Sequence, residues 1–395
     1  MSILIFNRHA KERKPYSEWL ATLPEELFMI GSDKAVEGFE EFSVRIGVQN
    51  FPENELVEEE ALQLYASRPF HTLIALEESD LIRAGRLRTR LGLRGQSLES
   101  AIAFRDKCVM KEHVERSSVK VPAFAAIADT TLTKFVEKHG LPVVIKPRTG
   151  FASSDVHLIR TQEELNDFLS KSHNPNLMVE AFVHHVKMYH SDGLIVGGEV
   201  IFDCSFEYLN DCLSFNLGKG VGDVLLEPDD AMSIRLKKAV REVLRSLPTP
   251  NICAFHAEFF LTPQDELVFC EIASRTAGSW SPHCIYHSYR LEMDRYVTRA
   301  QCGLIDPIPP SNPKVITAHY LMPPRTKKLI SMPEKIDYPW CVRSRLNGIV
   351  GKTYERQRNY FDTFASFMVE GSSTEQAKKR ILQVIEYLDR QTIWE

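Results

Sequence analysis

The sequence predicts a mixed α/β fold: a Rossmann-like parallel α/β domain at the N-terminus, followed by α+β parts that contain antiparallel hairpins. Three observations lead to this class. Short apolar runs alternate with helical patterns over residues 1–97, an order typical of a parallel sheet with crossover helices. Two hairpin signals follow, at Gly197-Gly198 and between Thr262 and Leu267. The 395 residues are 44% hydrophobic, which is sufficient for several domains.

The first 97 residues contain three predicted strands and two predicted helices. We expect strands at Ile3–Phe6, Leu27–Ile30 and His71–Leu76, and helices at Glu53–Arg68 and Asp80–Leu91. No Gly-x-Gly-x-x-Gly follows the first strand, which argues against a dehydrogenase-type dinucleotide site. A turn-rich joint at residues 92–97 is expected to end this first domain.

Residues 98–183 are expected to form a second domain in which helices and strands alternate. It begins with a helix that carries Ala101, Phe104 and Cys108. The later elements are a strand Val119–Ile127, a helix from Asp129 or Thr130 to Gly140, a strand Leu141–Lys146, a helix capped by Thr161 and Glu164, and a strand Met178–Val183.

Residues 184–305 are expected to form a third domain that begins with a hairpin. Gly197-Gly198 joins its two strands, and Val196 is expected to oppose Glu199. Asp192 would then oppose Asp203. This acidic pair either attracts a lysine or a substrate amine, or is a satisfied polar pair near a sheet edge.

Residues 306–395 are expected to form a small C-terminal α+β region. Prolines between positions 307 and 313 indicate a linker in front of it. Its final helix is capped by Ser373 and Gln376.

The hairpin at residues 254–272 places two glutamates between apolar neighbours. If Thr262 pairs with Leu267, Glu258 faces Glu271 on the same side of the sheet. Directly opposed like charges destabilise a sheet by roughly 0.2–1 kcal/mol, so the arrangement favours a cation between them. Mg²⁺ held by these carboxylates and by substrate phosphates is the predicted ligand. The alternatives are an exposed pair on a solvated edge and a register shifted by a β-bulge.

A second candidate site begins where Lys146 ends a buried strand. The loop that follows contains Gly150, Ser153 and Ser154, whose backbone N–H groups and hydroxyls suit phosphate oxygens. The alternative is a lysine that extends from the strand end into solvent.

Arg275 lies just after the second glutamate strand. Its planar guanidinium matches a carboxylate or an acyl phosphate, and small residues after it, including Gly278, let a substrate approach the backbone. The alternative is a surface arginine on a loop. His256 lies two residues before Glu258 on the same strand face, and it is either a site residue or a packed core histidine.

Two further patterns give weaker signals. His283 and His287 flank Cys284 with a spacing that suits zinc, but no third ligand is apparent in the sequence. Residues 218–222 are glycine-rich without the strand-then-helix context of a dinucleotide site, so we expect a flexible loop there.

Composition excludes several classes of partner. The net charge of −5 gives no electrostatic case for nucleic acid or an anionic membrane. No apolar run approaches the roughly 18 residues of a membrane span. The eight cysteines contain no Cys-x-x-Cys pair and no signal-peptide pattern opens the sequence, so we expect a reducing, cytoplasmic location.

Taken in order, these motifs resemble the ATP-grasp superfamily. The order is Arg105-Asp106-Lys107, Val144-Ile145-Lys146-Pro147 with its small-residue loop, Val179-Glu180-Ala181-Phe182-Val183, Glu258, and Glu271-Ile272-Ala273-Ser274-Arg275. The branch resembled is that of the carboxylate–amine ligases, which includes bacterial L-amino acid (dipeptide) ligases. The resemblance covers roughly residues 1–305. It implies that residues 98–183 and 184–305 are the small (lid) and large subdomains of an ATP-grasp unit.

The resemblance also implies a role for each motif residue. Lys107 and Lys146 would contact the ATP phosphates, Lys146 with a catalytic role, and the loop 149–156, with Ser153 and Ser154, would close over the γ-phosphate as a lid. Glu180, Phe182 and Val183 would line the adenine, largely through backbone groups. Glu258 and Glu271 would hold Mg²⁺, with Mn²⁺ as a substitute. Arg275 would face the reacting carboxylate as a catalytic residue, and Gly278 and His256 would line the substrate.

Two positions depart from the family pattern. Lys187 lies near the place of a glutamate that often binds the ATP ribose, so the sugar contacts are not implied. Ala273 replaces an asparagine that often follows the second metal glutamate. The metals would therefore depend on Glu258, Glu271, water and phosphate.

The implied activity is an ATP-dependent carboxylate–amine ligase that joins small molecules, amino acids first among them. The reaction would pass through an acyl phosphate and release ADP and phosphate. The alternatives are a carrier-protein acceptor, an intramolecular cyclisation and a nucleotide-binding module without catalysis. Relatives are often dimers, so a homodimer is one expected assembly.

Overall fold

The computed structural model describes residues 2–127, 129–151, 154–171, 174–210, 218–355 and 363–395. Three sheets and one two-stranded ribbon organise these residues. The parallel sheet, the small antiparallel sheet and the largest sheet are formed by successive parts of the sequence. Strands near the C-terminus also join the largest sheet.

The first unit is built on a parallel sheet. Its elements are β1 (Ser2–Asn7), α1 (Tyr16–Trp19), β2 (Glu26–Gly31), α2 (Asp33–Glu37), β3 (Val44–Gly47), α3 (Leu56–Ser67), β4 (Thr72–Ala75) and α4 (Leu81–Leu91). The strand order is β3-β2-β1-β4, with every pairing parallel. The predicted Rossmann-like sheet is therefore confirmed. β3 was not predicted, because its four residues alternate between half-buried and exposed positions and carry only two apolar side chains.

The second unit has a small antiparallel sheet. Its elements are α5 (Leu98–Ala103), α6 (Lys107–Val114), β5 (Phe124–Ala126), α7 (Asp129–His139), β6 (Val143–Pro147), β7 (His157–Ile159), α8 (Gln162–Lys171) and β8 (Leu177–Ala181). The strand order is β5-β8-β6-β7, and all three pairings are antiparallel.

The helix predicted through Ala101, Phe104 and Cys108 is two helices. The Asp106 carboxylate accepts hydrogen bonds from the backbone N–H groups of Cys108 (3.0 Å) and Val109 (3.4 Å). These bonds satisfy N–H groups that a helix start leaves unpaired. A new helix, α6, therefore begins after Asp106, and Lys107 lies in its first turn.

The strand predicted at Val119–Ile127 is confined to β5. Residues before β5 lie instead along the edge of the glutamate hairpin, where the Lys120 carbonyl accepts a hydrogen bond of 2.8 Å from the Phe269 N–H. The apolar residues of this segment thus pack against two different sheets. Periodicity alone does not show which residues belong to which sheet.

The third part of the chain forms the largest sheet. Its elements are β9 (Lys187–Val196), β10 (Glu199–Tyr208), β11 (Val221–Leu225), α9 (Ala231–Ser246), β12 (Ile252–Leu261), β13 (Leu267–Ala273), α10 (Ser281–Tyr289), α11 (Met293–Gln301), β14 (Ile316–Met322), β15 (Leu329–Ser331), β16 (Cys341–Leu346), β17 (Ala365–Gly371), α12 (Thr374–Gln391) and β18 (Ile393–Trp394). Its strand order is β13-β12-β9-β10-β11-β14-β17-β16, and β15 and β18 form the separate ribbon. Gly222, expected in a flexible loop, lies within β11.

The predicted pairing of Asp192 with Asp203 is wrong. The turn itself is as expected, since Gly197 and Gly198 have φ values of 65° and 82° and Val196 opposes Glu199. The register shifts between Val200 and Phe202, so Asp192 opposes Cys204. The extra residue in the β-bulge moves every later side chain to a new partner.

The predicted pairing of Glu258 with Glu271 is confirmed, although the predicted turn register is not. Leu261, not Thr262, pairs with Leu267, and a register shift between Glu258 and Phe259 then restores the Glu258–Glu271 pair. Cys270 is the extra residue of this β-bulge. Without it, Glu271 would point to the opposite face of the sheet.

The main hydrophobic core joins the parallel sheet to the largest sheet. Ile3, Ile5 and Ile74 of the first unit share one buried cluster with Phe206 and Val224 of the largest sheet. The loop after β4 is thereby held beside the end of β13. Among the described residues, none of the helices has the length and apolar character needed to cross a bilayer.

Candidate active site

The paired glutamates lie at one edge of the largest sheet, in different surroundings. Glu258 is 9% exposed, and the Tyr208 hydroxyl donates a hydrogen bond of 2.6 Å to its Oε1. The Lys107 Nζ lies 3.2 Å from Oε2 of Glu271. Burial alone would raise the pKa of Glu271, but Lys107 and Lys146 outweigh it and lower the pKa to about 2. Glu271 is therefore ionised at neutral pH.

Three buried lysines surround this edge. Lys146, at the end of β6, forms an ion pair of 2.7 Å with Glu180 of β8, and Lys111 lies 3.5 Å from the other oxygen of Glu180. Burial disfavours the charge of Lys146, yet the attraction of Glu180 is stronger and raises the lysine pKa. Lys146 is thus a cation held in a fixed direction rather than a lysine extended into solvent.

The donor set fits a magnesium ion and a polyphosphate. Two carboxylates that face the same side of adjacent strands supply the hard oxygen ligands that Mg²⁺ requires. Lys107 and Lys146 supply positive charge beside them. Like charges on Glu258 and Glu271 would repel across the pair, and a divalent cation bound between them would offset that repulsion.

The segment after β6 is tied to α6. Arg148 forms an ion pair with Asp106, with nitrogen–oxygen distances of 2.5 and 3.1 Å, and the Lys107 Nζ donates a hydrogen bond of 2.7 Å to the Gly150 carbonyl. Ser154, a predicted phosphate-binding residue, is exposed. Ser153 lies outside the described residues, so the predicted lid is placed only at its two ends.

The predicted adenine segment continues from β8. Phe182 stands edge-on to His184, with ring centroids 5.1 Å apart, and the carbonyl of Val183 accepts a hydrogen bond of 2.9 Å from His185. Lys187, which lies near the expected place of a ribose ligand, forms an ion pair of 2.9 Å with Glu207. The Glu180 side chain is directed to the lysines described above.

Arg275 is held by a glutamate that the sequence analysis missed. The Arg275 Nε donates to the carboxylate of Glu78, and Arg105 donates to the other oxygen of the same carboxylate. Burial would raise the pKa of Glu78, but the two arginines lower it. Glu78 lies directly after the parallel strand β4, at the sheet end where open α/β folds bind ligands. Its position after a predicted parallel strand was the sequence signal that could have identified Glu78 as a site residue.

The loop after Arg275 is short and partly open. The Thr276 hydroxyl donates a hydrogen bond of 2.8 Å to Asp294, and Gly278 is exposed between Arg275 and α10. Arg275 and Gly278 therefore lie on one loop, as expected for residues of a single substrate site.

His256 belongs to a buried chain of histidines and aspartates. The His256 Nδ1 donates to Asp192 (3.0 Å), and His190 donates to Asp192 (2.7 Å) and to Asp223 (3.0 Å). The His256 Nε2 lies 3.4 Å from Glu258. His256 thus links the glutamate pair to the interior of the sheet. Asp192 pairs with histidines, whereas Asp203 pairs with Lys237 at 3.2 Å. The predicted alternatives for these aspartates were an attracted lysine or substrate amine, and a satisfied polar pair near a sheet edge.

The buried chain of hydrogen-bonded histidines and aspartates continues to residues of β14 and α10. The His319 Nδ1 donates to Asp223 (2.9 Å), and the Ser281 hydroxyl donates to the same carboxylate (2.7 Å). These partners were not predicted, because they come from a strand and a helix that are far from Asp223 in the sequence. The only early signal was the polar run at residues 190–192 in an otherwise apolar strand.

The described residues do not bring His283, Cys284 and His287 together as a zinc site. His287 pairs with Glu370 at 2.7 Å, while Cys284 lies 4.0 Å from His319. Two other groups have ligand atoms close together: His190, Asp192 and His256, and Asp223, Cys284 and His319. Both groups are joined by direct hydrogen bonds of 2.7–3.0 Å between their imidazoles and carboxylates. These contacts account for their proximity without an ion.

Comparison with known proteins gives one curated relative of note. No family model matches the chain. An L-arginine-specific L-amino acid ligase from Bacillus subtilis is 24% identical over 243 residues, 59% of this chain and 58% of that protein. The matched part thus spans less than two thirds of the relative's length.

Solved structures share the whole fold. An L-amino acid ligase from Bacillus licheniformis has a TM-score of 0.76 at 16% identity and covers 100% of this chain and 99% of its own. A carboxyaminoimidazole ribonucleotide synthase from Aspergillus clavatus, complexed with ATP, has a TM-score of 0.73 at 15% identity, with 99% of each chain covered. The predicted fold class is confirmed.

Proposed function

We propose that the chain is an ATP-dependent carboxylate–amine ligase of the ATP-grasp superfamily, because it shares its fold with an L-amino acid ligase and with an ATP-bound synthase. It would join small molecules, amino acids first among them, and release ADP and phosphate. The observation that carries this proposal is the opposed pair Glu258 and Glu271, with Lys107 beside the ionised Glu271. A protein that only bound a nucleotide, without catalysis, would not need to hold two like charges together.

Glu258 and Glu271 are the residues that would hold Mg²⁺ or Mn²⁺, which would neutralise phosphate charge when bound. Lys107 and Lys146 would position the phosphates. Glu180 fixes the direction of Lys146, so the lysine loses little rotamer entropy when a phosphate arrives. Ser153 and Ser154 would contribute from the lid, and Phe182 and Val183 would line the adenine.

Arg275 would bind the substrate carboxylate that accepts the γ-phosphoryl group. The substrate carboxylate oxygen attacks phosphorus, the bond to the ADP oxygen breaks, and an acyl phosphate forms. An amine then attacks the acyl carbon and phosphate leaves. Arg275 would stabilise the oxyanion formed in that step, an effect worth roughly 3–4 kcal/mol for one donor in other enzymes. Gly278 and His256 would line the substrate.

Glu78 gives this arginine its orientation. The carboxylate contacts Arg105 and Arg275 together, so it holds two cations at the junction of three parts of the chain. A guanidinium already fixed by one carboxylate presents its remaining N–H groups in a defined direction. Pre-orientation of this kind lowers the entropy cost of binding a second carboxylate.

The remaining expectations are part of the same proposal. The division at residues 97/98, 183/184 and 305/306 is supported by the separate small sheet between residues 124 and 181. In the last part, β14, β16 and β17 continue the largest sheet, and β15 and β18 form their own two-stranded ribbon. We also propose that the protein is cytoplasmic and that it forms a homodimer. A carrier-protein acceptor and an intramolecular cyclisation remain the alternatives within the ligase class.

The decisive experiment is ATP consumption with Mg²⁺ across single and paired amino acids, with ADP, AMP and product mass read together. ADP with a product lighter than the summed substrates by one water supports the ligase. Arg275→Ala should retain nucleotide binding within about threefold and lose product by at least about a hundredfold, the size of a lost oxyanion donor. Tight ATP binding without turnover for any pair would contradict the small-molecule ligase.

A further inference from the structure

Arg343 and His283 contact Trp280, and the charges of Arg13, Arg343 and Arg345 all act on His283. Arg343 and Arg345 come from the edge strand β16, Arg13 from the loop between β1 and α1, and His283 from the first turn of α10. The Arg343 guanidinium carbon lies 5.1 Å from the Trp280 ring centroid. The rings of Trp280 and His283 are 6.3 Å apart. We refer to Arg13, Arg343 and Arg345 as the arginine cluster.

Among the described residues, the arginine cluster has no acidic counterpart. Within the described ranges, no acidic side chain forms an ion pair with any of its members, whereas Arg325 in the same C-terminal region pairs with Asp389 at 2.8 Å. Arg343 and Arg345 are two residues apart on one strand with no bulge between them, so both guanidinium groups extend from the same face.

The positive charge of the cluster lowers the pKa values of neighbouring groups. Partial burial and then the charges of Arg343, Arg13 and Arg345 lower the pKa of His283 to about 4. Partial burial and the charge of Arg345 also lower the pKa of Arg343. His283 is therefore neutral at physiological pH and can donate or accept a hydrogen bond. Like charges held together without a counter-charge favour an anionic ligand.

The arginine cluster is connected to the loop that carries Arg275, because Arg343 contacts Trp280 of that loop. Trp280 is only five residues after Arg275, so their Cα atoms are at most about 18 Å apart. Arg13 precedes Lys14, whose Nζ lies 3.0 Å from Asp294, and Asp294 accepts the hydrogen bond from Thr276. The loop that carries Arg275 therefore contacts the segments that carry the cluster.

We propose that the arginine cluster binds a second anionic group of one ligase substrate, so that the preferred substrate is an acidic amino acid or a phosphorylated one. Guanidinium forks bind carboxylate and phosphate oxygens in pairs. Trp280, which is 9% exposed, forms the apolar wall that fixes Arg343. The reaction assigned to this substrate rests on the proposed ligase function, whereas its binding does not.

Binding is measured by calorimetry on the full chain with Mg²⁺ and a non-hydrolysable ATP analogue. The probes are two matched pairs: L-glutamate with L-glutamine, and O-phospho-L-serine with L-serine. At least one anionic member should bind at least tenfold more tightly than its neutral partner, and the difference should shrink in high salt. The pair that shows the larger difference distinguishes carboxylate from phosphate recognition. Equal affinities within both pairs would overturn the proposal.

Variants locate the effect. Arg343→Gln with Arg345→Gln should remove the preference for the anionic probe and leave the affinity for its neutral partner within twofold. Arg325→Gln, an exposed arginine of the same region that is paired with Asp389, is the control and should keep the preference. A preference that survives in the double variant would exclude this site.

Turnover then separates this inference from the proposed function. The same probes are assayed for ADP release with L-alanine as partner. Selective binding followed by ADP and a condensed product supports both. Selective, arginine-dependent binding without ADP for any amine supports the anion site and counts against the ligase. Turnover with neutral amino acids alone, without selective binding of the anions, supports the ligase and overturns the anion site.

Discussion

Glu271 is constrained on two sides, since Lys107 contacts its carboxylate and Glu258 opposes it on the neighbouring strand. We expect Glu271→Gln to abolish ATP turnover, by at least about a hundredfold, because an amide removes the charge that a divalent cation requires. Thermal unfolding and circular dichroism would verify that the variant folds.

Glu266→Gln is the matched control, because this exposed glutamate of the same hairpin pairs only with the exposed Lys120. It should retain turnover within about twofold, as expected for a surface ion pair. Wild-type turnover in a folded Glu271→Gln variant would exclude the metal role.

His190 is the central residue of the buried histidine–aspartate chain. Both of its nitrogens face carboxylate oxygens, which only accept hydrogen bonds, so the ring is an imidazolium. Burial opposes this charge, but Asp192 and Asp223 raise the pKa of His190 to about 10. Burial likewise opposes ionisation of Asp192, but its two histidines lower its pKa to about 2.

The pH dependence follows from the signs of these shifts. A histidine pKa raised on folding contributes stability that is complete below the unfolded value of about 6.5 and is lost as pH rises towards 10. We expect His190→Gln to lower the free energy of unfolding at pH 6 by roughly 3–5 kcal/mol, as for other broken buried pairs. The gap to wild type should narrow between pH 7 and 10. Chemical denaturation across that range measures it, and a constant gap would contradict the charged state of His190.

Residue types, spacing and the family resemblance predicted candidate site residues, several of which the structure places close together. Lys107, Lys146, Glu258, Glu271 and Arg275 each lie within a short motif, so local sequence reports them. Glu78 and the histidine–aspartate chain were not found because their partners are distant in the sequence. Glu78 meets Arg275 across 197 positions, and only the packing of two sheets brings them together.

At the level of elements, the β-bulge at Cys270 determines whether the glutamates meet. Lys111 of α6 is fully buried, and its Nζ donates a hydrogen bond of 2.6 Å to the Cys270 carbonyl. The Met110 sulfur, one residue earlier, accepts from the Ile272 N–H at 3.3 Å. Consecutive residues of one helix therefore hold both sides of the bulge. Lys111 is in this sense a positioning residue for Glu271.

We expect Lys111→Met to weaken metal binding without a comparable loss of nucleotide binding. The methionine fills much of the same volume but leaves the Cys270 carbonyl without its donor. Mn²⁺ affinity, measured by electron paramagnetic resonance on the unloaded protein, should fall by at least about fivefold. This corresponds to about 1 kcal/mol, the usual size of one lost hydrogen bond.

The control for this experiment is Lys120→Met, since Lys120 is exposed and pairs with Glu266 in the turn of the same hairpin. It should leave Mn²⁺ affinity unchanged, and Lys111→Arg should restore part of the loss by supplying another donor. Unchanged Mn²⁺ affinity in Lys111→Met would show that the bulge keeps its geometry without Lys111.

Elements with strong periodicity were predicted well, and register was not. The helices α3 and α4 lie within two or three residues of their predicted limits, because their apolar stripes and end signals agree. Both hairpins contain a β-bulge, and each bulge depends on what packs against the strand rather than on the strand's own sequence. A register derived from the turn alone therefore changes at each bulge. In the Gly197-Gly198 hairpin the predicted register holds only as far as the bulge, whereas in the glutamate hairpin it holds only beyond the bulge.

At the scale of the whole molecule, Glu78 joins three parts of the chain. It lies after β4 of the parallel sheet, Arg105 lies between the helices of the second part, and Arg275 follows β13 of the largest sheet. All three side chains are buried or half-buried. The substrate end of the site therefore depends on how these parts are packed against one another.

We expect Glu78→Gln to impair both stability and ligation. Loss of the carboxylate leaves two close arginines without their counter-charge, and breaking a buried pair costs roughly 3–5 kcal/mol. The KM for the carboxylate substrate should rise at least tenfold, because Arg275 loses its orientation. Affinity for the ATP analogue should change by less than threefold, because Lys146 is held by Glu180 instead. Glu26→Gln, an exposed partner of Arg68 in the same unit, is the control. A variant that loses stability but keeps its substrate KM would show that Glu78 joins the parts without orienting Arg275.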